Sequence, residues 1–338
     1  MKMKRNILTF FALTCLLISI NAQIIYVDSQ FGNDINTGNK DKPFKTIKKA
    51  IRIVNQLTGK GNITIKIKPG LYLLDERVDI NPVRVLDEKS KLSIEAAILP
   101  GDSLWSPLKM PIIESISVNN SETQFNHSTG FLVSSNFVEF KGIKFLGNAN
   151  PLVKYYYPIS RENPNLKSLI VSQCMFIGDK NSATIQGGVW AHGHDININH
   201  NVFYQCRNAI LLFKNLNNSI IKNNIIYDSY ESAFWMGDDE NLKFENNIIS
   251  KSKYFWVGAP DSKSDFKISN SIISGNKNFR GVWGGDNLML SKRKFIETNI
   301  NKKETISLVE RVGVKIPLSH LHIIPESVSL KFKAGIFK

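Results

Sequence analysis

The chain has 338 residues, of which 42% are hydrophobic and only three are cysteine, and its formal net charge is +14. So few cysteines exclude a disulfide scaffold, and the fold must be held by burial of a core. The positive charge is spread along the chain, which favours an anionic partner or simple solubility and gives no sign of a nucleic-acid-binding arm.

The first 22 residues have the pattern of a signal peptide. A basic start is followed by the apolar run "ILTFFALTCLLISI", and we expect cleavage between Ala22 and Gln23. This run is short for a membrane span, and no later run is long enough. We therefore expect a secreted or periplasmic protein with no transmembrane segment. Its mature form loses three positive charges, which leaves +11, and keeps Cys174 and Cys206 as a disulfide or as two buried thiols.

Residues 23–62 are predicted to form a strand, a loop rich in Gly, Asn and Asp, and a helix near residues 45–55. The helix has one apolar face, made by Ile47, Ala50, Ile51 and Val54. A repeating solenoid needs a cap over its first coil, and this helix can supply it.

A repeat of about 23 residues follows. Five segments share a pattern of alternating apolar residues, then a small polar residue and two apolar ones: "LIVSQCMF" (169–176), "ININHNVF" (196–203), "SIIKNNII" (219–226), "LKFENNII" (242–249) and "FKISNSII" (266–273). Strand-like alternation without a helical period predicts a parallel β-helix, over residues 63–290. Residues 291–338 are predicted to close it.

Equivalent residues of the repeat should stack into columns, because each coil lies about 4.8 Å above the one before. The alignment gives two apolar columns and one polar column between them. The first apolar column is Val171, Ile198, Ile221, Phe244 and Ile268, the second is Phe176, Phe203, Ile226, Ile249 and Ile273, and the polar one is Gln173, His200, Asn223, Asn246 and Asn270. The polar column is typical of a turn in which Asn adopts left-handed backbone and its amide bonds to the next coil.

Two stretches outside the repeat carry a family resemblance. Tyr26-Val27-Asp28, Gly32-x-Asp34, Gly38, "PFKTIKKAI" (43–51) and Pro69-Gly70-x-Tyr72 resemble the amino-terminal region of secreted right-handed β-helix proteins of the pectate-lyase-like superfamily, and residues 321–335 resemble their closing segment. The resemblance implies an all-β, single-stranded, right-handed parallel β-helix. It does not select an activity, since this superfamily includes lyases, hydrolases, epimerases and non-catalytic adhesins.

A second strand of each coil carries tryptophan. The strands "GVWAH" (188–192), "ILLFK" (210–214), "AFWMG" (233–237), "YFWVG" (254–258) and "GVWGG" (281–285) align with Trp190, Leu212, Trp235, Trp256 and Trp283 at their centres. Their flanking residues form apolar columns, so alternation predicts that the tryptophans point outward as a platform for sugar rings. The alternative is that the rings lie in the core or under a loop.

Polar residues follow these strands at equivalent positions of successive coils, and they suggest an enzyme. The leading hypothesis is a lyase that cleaves an acidic, uronic-acid polysaccharide by β-elimination. Lys214 would be the base, with His192 or His194 as competitors, and Asp238 beside them. The acids Asp238, Asp239, Asp261 and Asp286 could hold Ca²⁺.

Two other functions stay open. A glycoside hydrolase would use paired carboxylates, Asp238 with Asp261 for retention or with Asp286 for inversion. A non-catalytic glycan-binding protein would keep the tryptophans without needing Lys214 or the acids. We expect a monomer in each case.

Overall fold

The computed structural model describes residues 22–338, apart from residues 180, 260–261, 263–264, 285–286, 291–294, 312–314 and 325–330. Over these residues the chain forms the predicted right-handed parallel β-helix. Residues 1–21, which make up nearly all of the predicted signal peptide, lie outside the described residues. No helix in the described part of the chain is both long and apolar enough to cross a bilayer.

The elements follow one another as short strands after a single α-helix near the amino end of the described chain. The helix α1 spans Ile47–Gln56, and a 3₁₀ turn spans Pro107–Lys109. The strands are β1 (Gln23–Val27), β2 (Ile63–Ile67), β3 (Leu71–Leu74), β4 (Val78–Ile80), β5 (Leu92–Ala96), β6 (Ile112–Ser115), β7 (Ser128–Val133), β8 (Val138–Lys141), β9 (Lys144–Asn148), β10 (Tyr156–Arg161), β11 (Lys167–Ser172), β12 (Met175–Ile177), β13 (Val189–Ala191), β14 (His194–Asn199), β15 (Val202–Tyr204), β16 (Asn208–Leu212), β17 (Ile220–Lys222), β18 (Ile225–Tyr227), β19 (Ser232–Met236), β20 (Lys243–Glu245), β21 (Ile248–Ser250), β22 (Tyr254–Gly258), β23 (Lys267–Ser274), β24 (Asn278–Gly284), β25 (Asn287–Leu290) and β26 (Ile296–Asn301).

A regular coil has three strands, two in one sheet and one in another. Strands β14, β15 and β16 make one such coil, and β17, β18 and β19 make the next. Sheet B contains β4, β7, β10, β13, β16, β19, β22, β24 and β25, and sheet A contains the other 17 strands. Pairing between coils is parallel throughout, except that β25 returns antiparallel to β24.

Both predicted apolar columns are confirmed by the strand register. Each member of a column pairs with the next: the first column runs through Val171, Ile198, Ile221, Phe244 and Ile268, and the second runs through Phe176, Phe203, Ile226, Ile249 and Ile273. The rings of Phe145, Phe176 and Phe203 stack face to face, with centroids 4.9 and 4.5 Å apart. The core therefore repeats one layout from coil to coil.

The polar column has the predicted left-handed backbone, and the predicted bond to the next coil is present at Asn270, whose Oδ1 accepts from Nδ2 of Asn299 at 2.9 Å. Its five members have φ between 44° and 56°. Most of the side-chain bonds between coils come from the next residue of the repeat, which points inward at Asn201, Asn224 and Asn247. Asn224 is fully buried: its Oδ1 accepts from the backbone and side-chain amides of Asn201, and its Nδ2 donates to the Ile198 carbonyl and to Oδ1 of Asn247.

Replacing Asn224 by alanine should therefore destabilise the protein by about 2 to 3 kcal/mol, because it leaves buried amides and a carbonyl without partners. Chemical denaturation of the variant would measure the loss. Asn246→Ala is the matched control, since Asn246 occupies the partly exposed turn position of the next coil. Equal losses for the two variants would contradict a special role for the buried ladder.

The helix α1 caps the solenoid as predicted. Its buried residues are Ile47, Ala50, Ile51 and Val54, the four expected from the sequence. The Thr46 hydroxyl accepts the Lys49 amide at 3.1 Å, which satisfies a free amide of the first turn. Parallel pairing extends past the predicted limits of 63 and 290, because β1 pairs with β2 before residue 63 and β26 pairs with β23 after residue 290.

The carboxyl-terminal residues lie across the outside of sheet A. The side chains of Gln173, His200 and Asn223 bond to main-chain carbonyls of residues 332–337. Phe332, Ala334 and Ile336 pack on the outward apolar residues of sheet A, which are Met175, Val202, Ile225, Ile248 and Ile272. The polar column thus holds a covering segment.

Both Cys174 and Cys206 are free thiols, each fully buried in the core. Burial raises the pKa of the Cys174 thiol to about 12, so it is uncharged at ordinary pH.

Candidate functional site

A cleft of about 610 Å³ lies on the outward face of sheet B, over β10, β13, β16 and β19. Aromatic residues dominate its floor, and polar residues stand at both ends of the strands. The lining residues are Gln124, Phe125, Tyr155, Tyr157, Gln186, Trp190, His192, Arg207, Asn208, Leu211, Phe213, Lys214, Glu231, Trp235 and Trp283. Volume and composition are those of a small-molecule or sugar-binding site.

The floor is a continuous row of rings. Tyr157 and Trp190 have centroids 4.6 Å apart, and Trp235 and Trp283 are 5.2 Å apart at an angle of 41°. Phe213 and His192 join the two pairs: the Phe213 ring lies 6.0 Å from that of Trp235 and 6.1 Å from that of His192, which lies 6.2 Å from that of Trp190. Three of the four predicted tryptophans therefore share one face, but only Trp235 and Trp283 are even partly exposed there, because Trp190 is buried.

The prediction that Trp256 points outward is wrong. Trp256 pairs with Phe234 rather than with Trp235, and it is fully buried in the core. The outward partner in its coil is Val257, and Leu211 rather than Leu212 lies between Trp190 and Trp235. A shift of one residue in register moves a side chain to the opposite face of a strand.

Lys214 and His192 meet at the carboxyl end of the strands. The backbone N–H of Lys214 donates to Nδ1 of His192 at 3.3 Å, which places the hydrogen of the neutral ring on Nε2. Burial, and then the nearby charge of Lys214, lower the pKa of His192 to about 4. The Lys214 side chain is exposed at the cleft, and its ammonium forms no ion pair with another described residue.

The low pKa of His192 predicts acid sensitivity. The ring takes up a proton more readily in the unfolded chain, where its pKa is near 6.5, than in the fold, where it is about 4. The stability that neutral His192 contributes is therefore present above about pH 6.5 and is lost as the pH falls towards about 4. As the pH falls from about 6.5 to about 4, the thermal midpoint of His192→Gln should therefore fall less than that of the wild type.

The control for this comparison is His194→Gln, because His194 is only partly buried and lies outside the cleft. Its acid sensitivity should match that of the wild type. An unchanged acid response in His192→Gln would show that other groups control stability in this range.

His194 does not join the site, contrary to the expectation that it competes as a base. It is the first residue of β14 in sheet A. Gly193 makes the turn that separates the two histidines: its φ is +91°, and a Cβ there would lie 2.2 Å from the Leu166 carbonyl oxygen. Arg161, buried beneath this turn, donates to the carbonyls of His192 and His194 at 2.7 and 3.2 Å and fixes its shape.

Of the four predicted metal-binding acids, Asp238 and Asp239 lie among the described residues. Asp238 is exposed outside the cleft and accepts from the Ser262 hydroxyl. Asp239 does not fit a calcium ligand, because it is buried and its two oxygens accept the backbone amides of Ser219 and Asn241, each at 3.1 Å. Asp261 and Asp286 lie outside the described residues. No group of three metal-ligating side chains occurs in the described part of the chain.

Sequence reasoning missed the polar end of the cleft, at the amino end of the strands. Arg207 and Glu231 form a two-point ion pair there, with Nε–Oε2 at 3.0 Å and Nη2–Oε1 at 3.1 Å. They lie in successive coils, 24 residues apart. Two opposite charges separated by one repeat length are the feature of the sequence that could have predicted this ion pair. The loop before β7, which contributes Gln124 and Phe125, carries no such signal.

Two polar atoms at or beneath the cleft floor have no partner among the described residues. They are the indole N–H of Trp190 and Nε2 of His127, both buried. The two rings lie 5.2 Å apart. Buried polar atoms normally have partners, so these two atoms depart from the usual pattern.

Comparison with solved structures finds weak similarity to carbohydrate-active β-helices. A rhamnogalacturonan lyase is 11% identical, with 94% of this chain and 100% of that chain aligned and a TM-score of 0.35. A GH136 lacto-N-biosidase from Eubacterium ramulus is 10% identical over 83% of this chain and 68% of its own, with a TM-score of 0.32, and its selenomethionine derivative gives 9% and 0.37. These scores are too low to bear on function.

Comparison with curated proteins finds no match. The family comparison is informative, because the model described as "Right handed beta helix region" matches residues 114–295. The match covers more than half of the chain, including the strands that carry the cleft, and agrees with the observed fold. The protein therefore belongs to the right-handed beta helix family.

Proposed function

We propose that the protein is a carbohydrate-active enzyme that cleaves an acidic polysaccharide by β-elimination in the cleft on sheet B. The observation that carries this proposal is the row of rings along the cleft floor, with the amine of Lys214 at its edge. Aromatic faces bind the C–H faces of sugar rings, and a cation beside them favours a uronate over a neutral sugar.

β-Elimination needs a base and a group that stabilises negative charge. The base removes the proton α to the uronate carboxylate, that electron pair becomes a carbon–carbon double bond, and the bond to the leaving oxygen breaks. The Lys214 ammonium would attract the uronate, and the amine that is left after it releases a proton to solvent is the proposed base. His192 is a poorer base because its Nδ1 already accepts the Lys214 amide, but its Nε2–H can donate to a substrate oxygen.

The described residues give less support to a glycoside hydrolase, which needs two carboxyl groups across the scissile bond. The described lining of the cleft contains one carboxylate, Glu231, and it is already bonded to Arg207. Ca²⁺ remains part of the proposal through Asp238, Asp261 and Asp286, where it would hold the substrate carboxylate. Secretion through cleavage before Gln23 also remains a proposal, which the amino-terminal sequence of the exported protein would test.

The test is incubation of the protein with acidic and neutral polysaccharides, with added Ca²⁺ and with a chelator. An ultraviolet-absorbing, unsaturated product from an acidic polymer is the expected result. New reducing ends without that absorbance would replace the lyase with a hydrolase. Binding with no cleavage under any condition would identify a non-catalytic glycan-binding protein.

A further inference from the structure

The two ends of the cleft differ in charge. At the carboxyl end of β16, Lys214 is a cation with no ion pair to another described residue. At the amino end of the same strand, the charge of Arg207 is matched by Glu231. Lys214 follows Arg207 by seven positions, so the two ends are at most about 23 Å apart.

The amino end is a compact hydrogen-bonding network. Besides its two bonds to Glu231, Arg207 extends Nη1 towards Oε1 of Gln186 at 3.4 Å. Asn208 donates to Oε2 of Glu231 at 2.8 Å, and it also accepts from the Ser232 hydroxyl at 2.5 Å. These bonds hold the Arg207–Glu231 pair in one orientation beside the cleft.

This network suits an uncharged sugar better than a uronate. A hydroxyl can accept from Arg207 or Gln186 and donate to Glu231 at the same time. A uronate carboxylate can only accept, and it would lie beside the Glu231 carboxylate with little net positive charge to offset the repulsion. Lys214, by contrast, offers a positive charge that forms no ion pair with another described residue.

We infer that the cleft selects a saccharide of mixed composition, with an uncharged sugar at the Arg207–Glu231 end and a uronate at Lys214. This inference rests on the proposed function, and it narrows the substrate class from acidic polysaccharides in general to those that alternate charged and uncharged residues. A uniformly charged polyuronate would place a carboxylate against Glu231.

Binding of two probes tests the inference: oligogalacturonate, in which every residue is charged, and hyaluronan oligosaccharide of equal length, in which a uronate alternates with an uncharged sugar. Calorimetry with chelator present would give the Kd values, and recovered ligand would be checked to be intact. The wild type should bind the alternating probe at least about tenfold more tightly.

Two substitutions should move this preference in opposite directions. Glu231→Gln leaves the Arg207 charge unmatched and should tighten oligogalacturonate binding by about tenfold, whereas Arg207→Gln should weaken it by about as much. The matched control is Glu245→Gln, which removes the same charge from the outer face of sheet A. One of the two cleft variants, Glu231→Gln or Arg207→Gln, is sufficient for the test if its thermal unfolding matches that of the wild type.

The possible outcomes distinguish failure of the mixed-saccharide inference from failure of the proposed function. A wild type that binds both probes equally, or a preference that neither cleft variant alters, overturns the mixed-saccharide inference and leaves the carbohydrate cleft in place. A wild type that neither binds nor cleaves any acidic saccharide overturns the proposed function itself.

Discussion

Replacing Trp256 by alanine is expected to lower the free energy of unfolding by about 3 to 5 kcal/mol, the usual range for truncating a large buried aromatic side chain. The Trp256 ring lies 4.6 Å from that of Phe266 and 5.2 Å from that of Phe295, and it is completely buried. Its removal would leave a cavity between rigid coils that cannot close around it. Denaturant unfolding measures the loss.

Trp256→Phe and Trp235→Ala are the controls. The first keeps most of the volume and removes an indole N–H that has no partner among the described residues, so its loss should stay below about 1.5 kcal/mol. The second removes a partly exposed ring of the cleft and should weaken saccharide binding much more than it lowers stability. A stable Trp256→Ala variant that loses saccharide binding would contradict the buried assignment.

Replacing Lys214 by alanine is expected to lower turnover of an acidic polysaccharide by at least about a hundredfold, the typical contribution of general acid–base catalysis. The side chain is exposed, so the free energy of unfolding should change by no more than about 0.5 kcal/mol. Initial rates of unsaturated-product formation, together with denaturant unfolding of the same preparation, measure both effects.

Lys267→Ala is the matched control, because it removes an exposed lysine from the first position of β23 in sheet A, away from the cleft. Its rate should equal that of the wild type. If Lys214→Ala retains near-normal turnover, Lys214 is not the base.

The sequence was sufficient to predict the solenoid and its core, because the alternation and the polar turn residue recur together. The columns through Ile226 and Phe244 were predicted residue by residue for this reason. The sheet B strand of each coil has no such polar marker, and the spacing between successive sheet B strands varies by one to three residues. Alignment on tryptophan alone therefore placed Trp256 on the wrong face.

The cleft was only partly predictable. Lys214 and His192 follow strands of the repeat, so their common height could be predicted from the sequence. The pairing of Arg207 with Glu231 depends on side-chain direction as well as repeat length, and Phe125 reaches the cleft from a loop outside the repeat. Periodicity predicts neither of these features.

The segment at residues 332–337 changes how the coils depend on one another. In a simple solenoid each coil contacts only its neighbours, so unfolding can spread from an end one coil at a time. Here Gln173, His200 and Asn223, from three successive coils, all hold that one segment, through contacts that span 109 to 163 residues of chain. Loss of any one of these coils would loosen the segment from the other two. The three coils and the segment should therefore unfold as one cooperative unit, rather than as a series of independent steps.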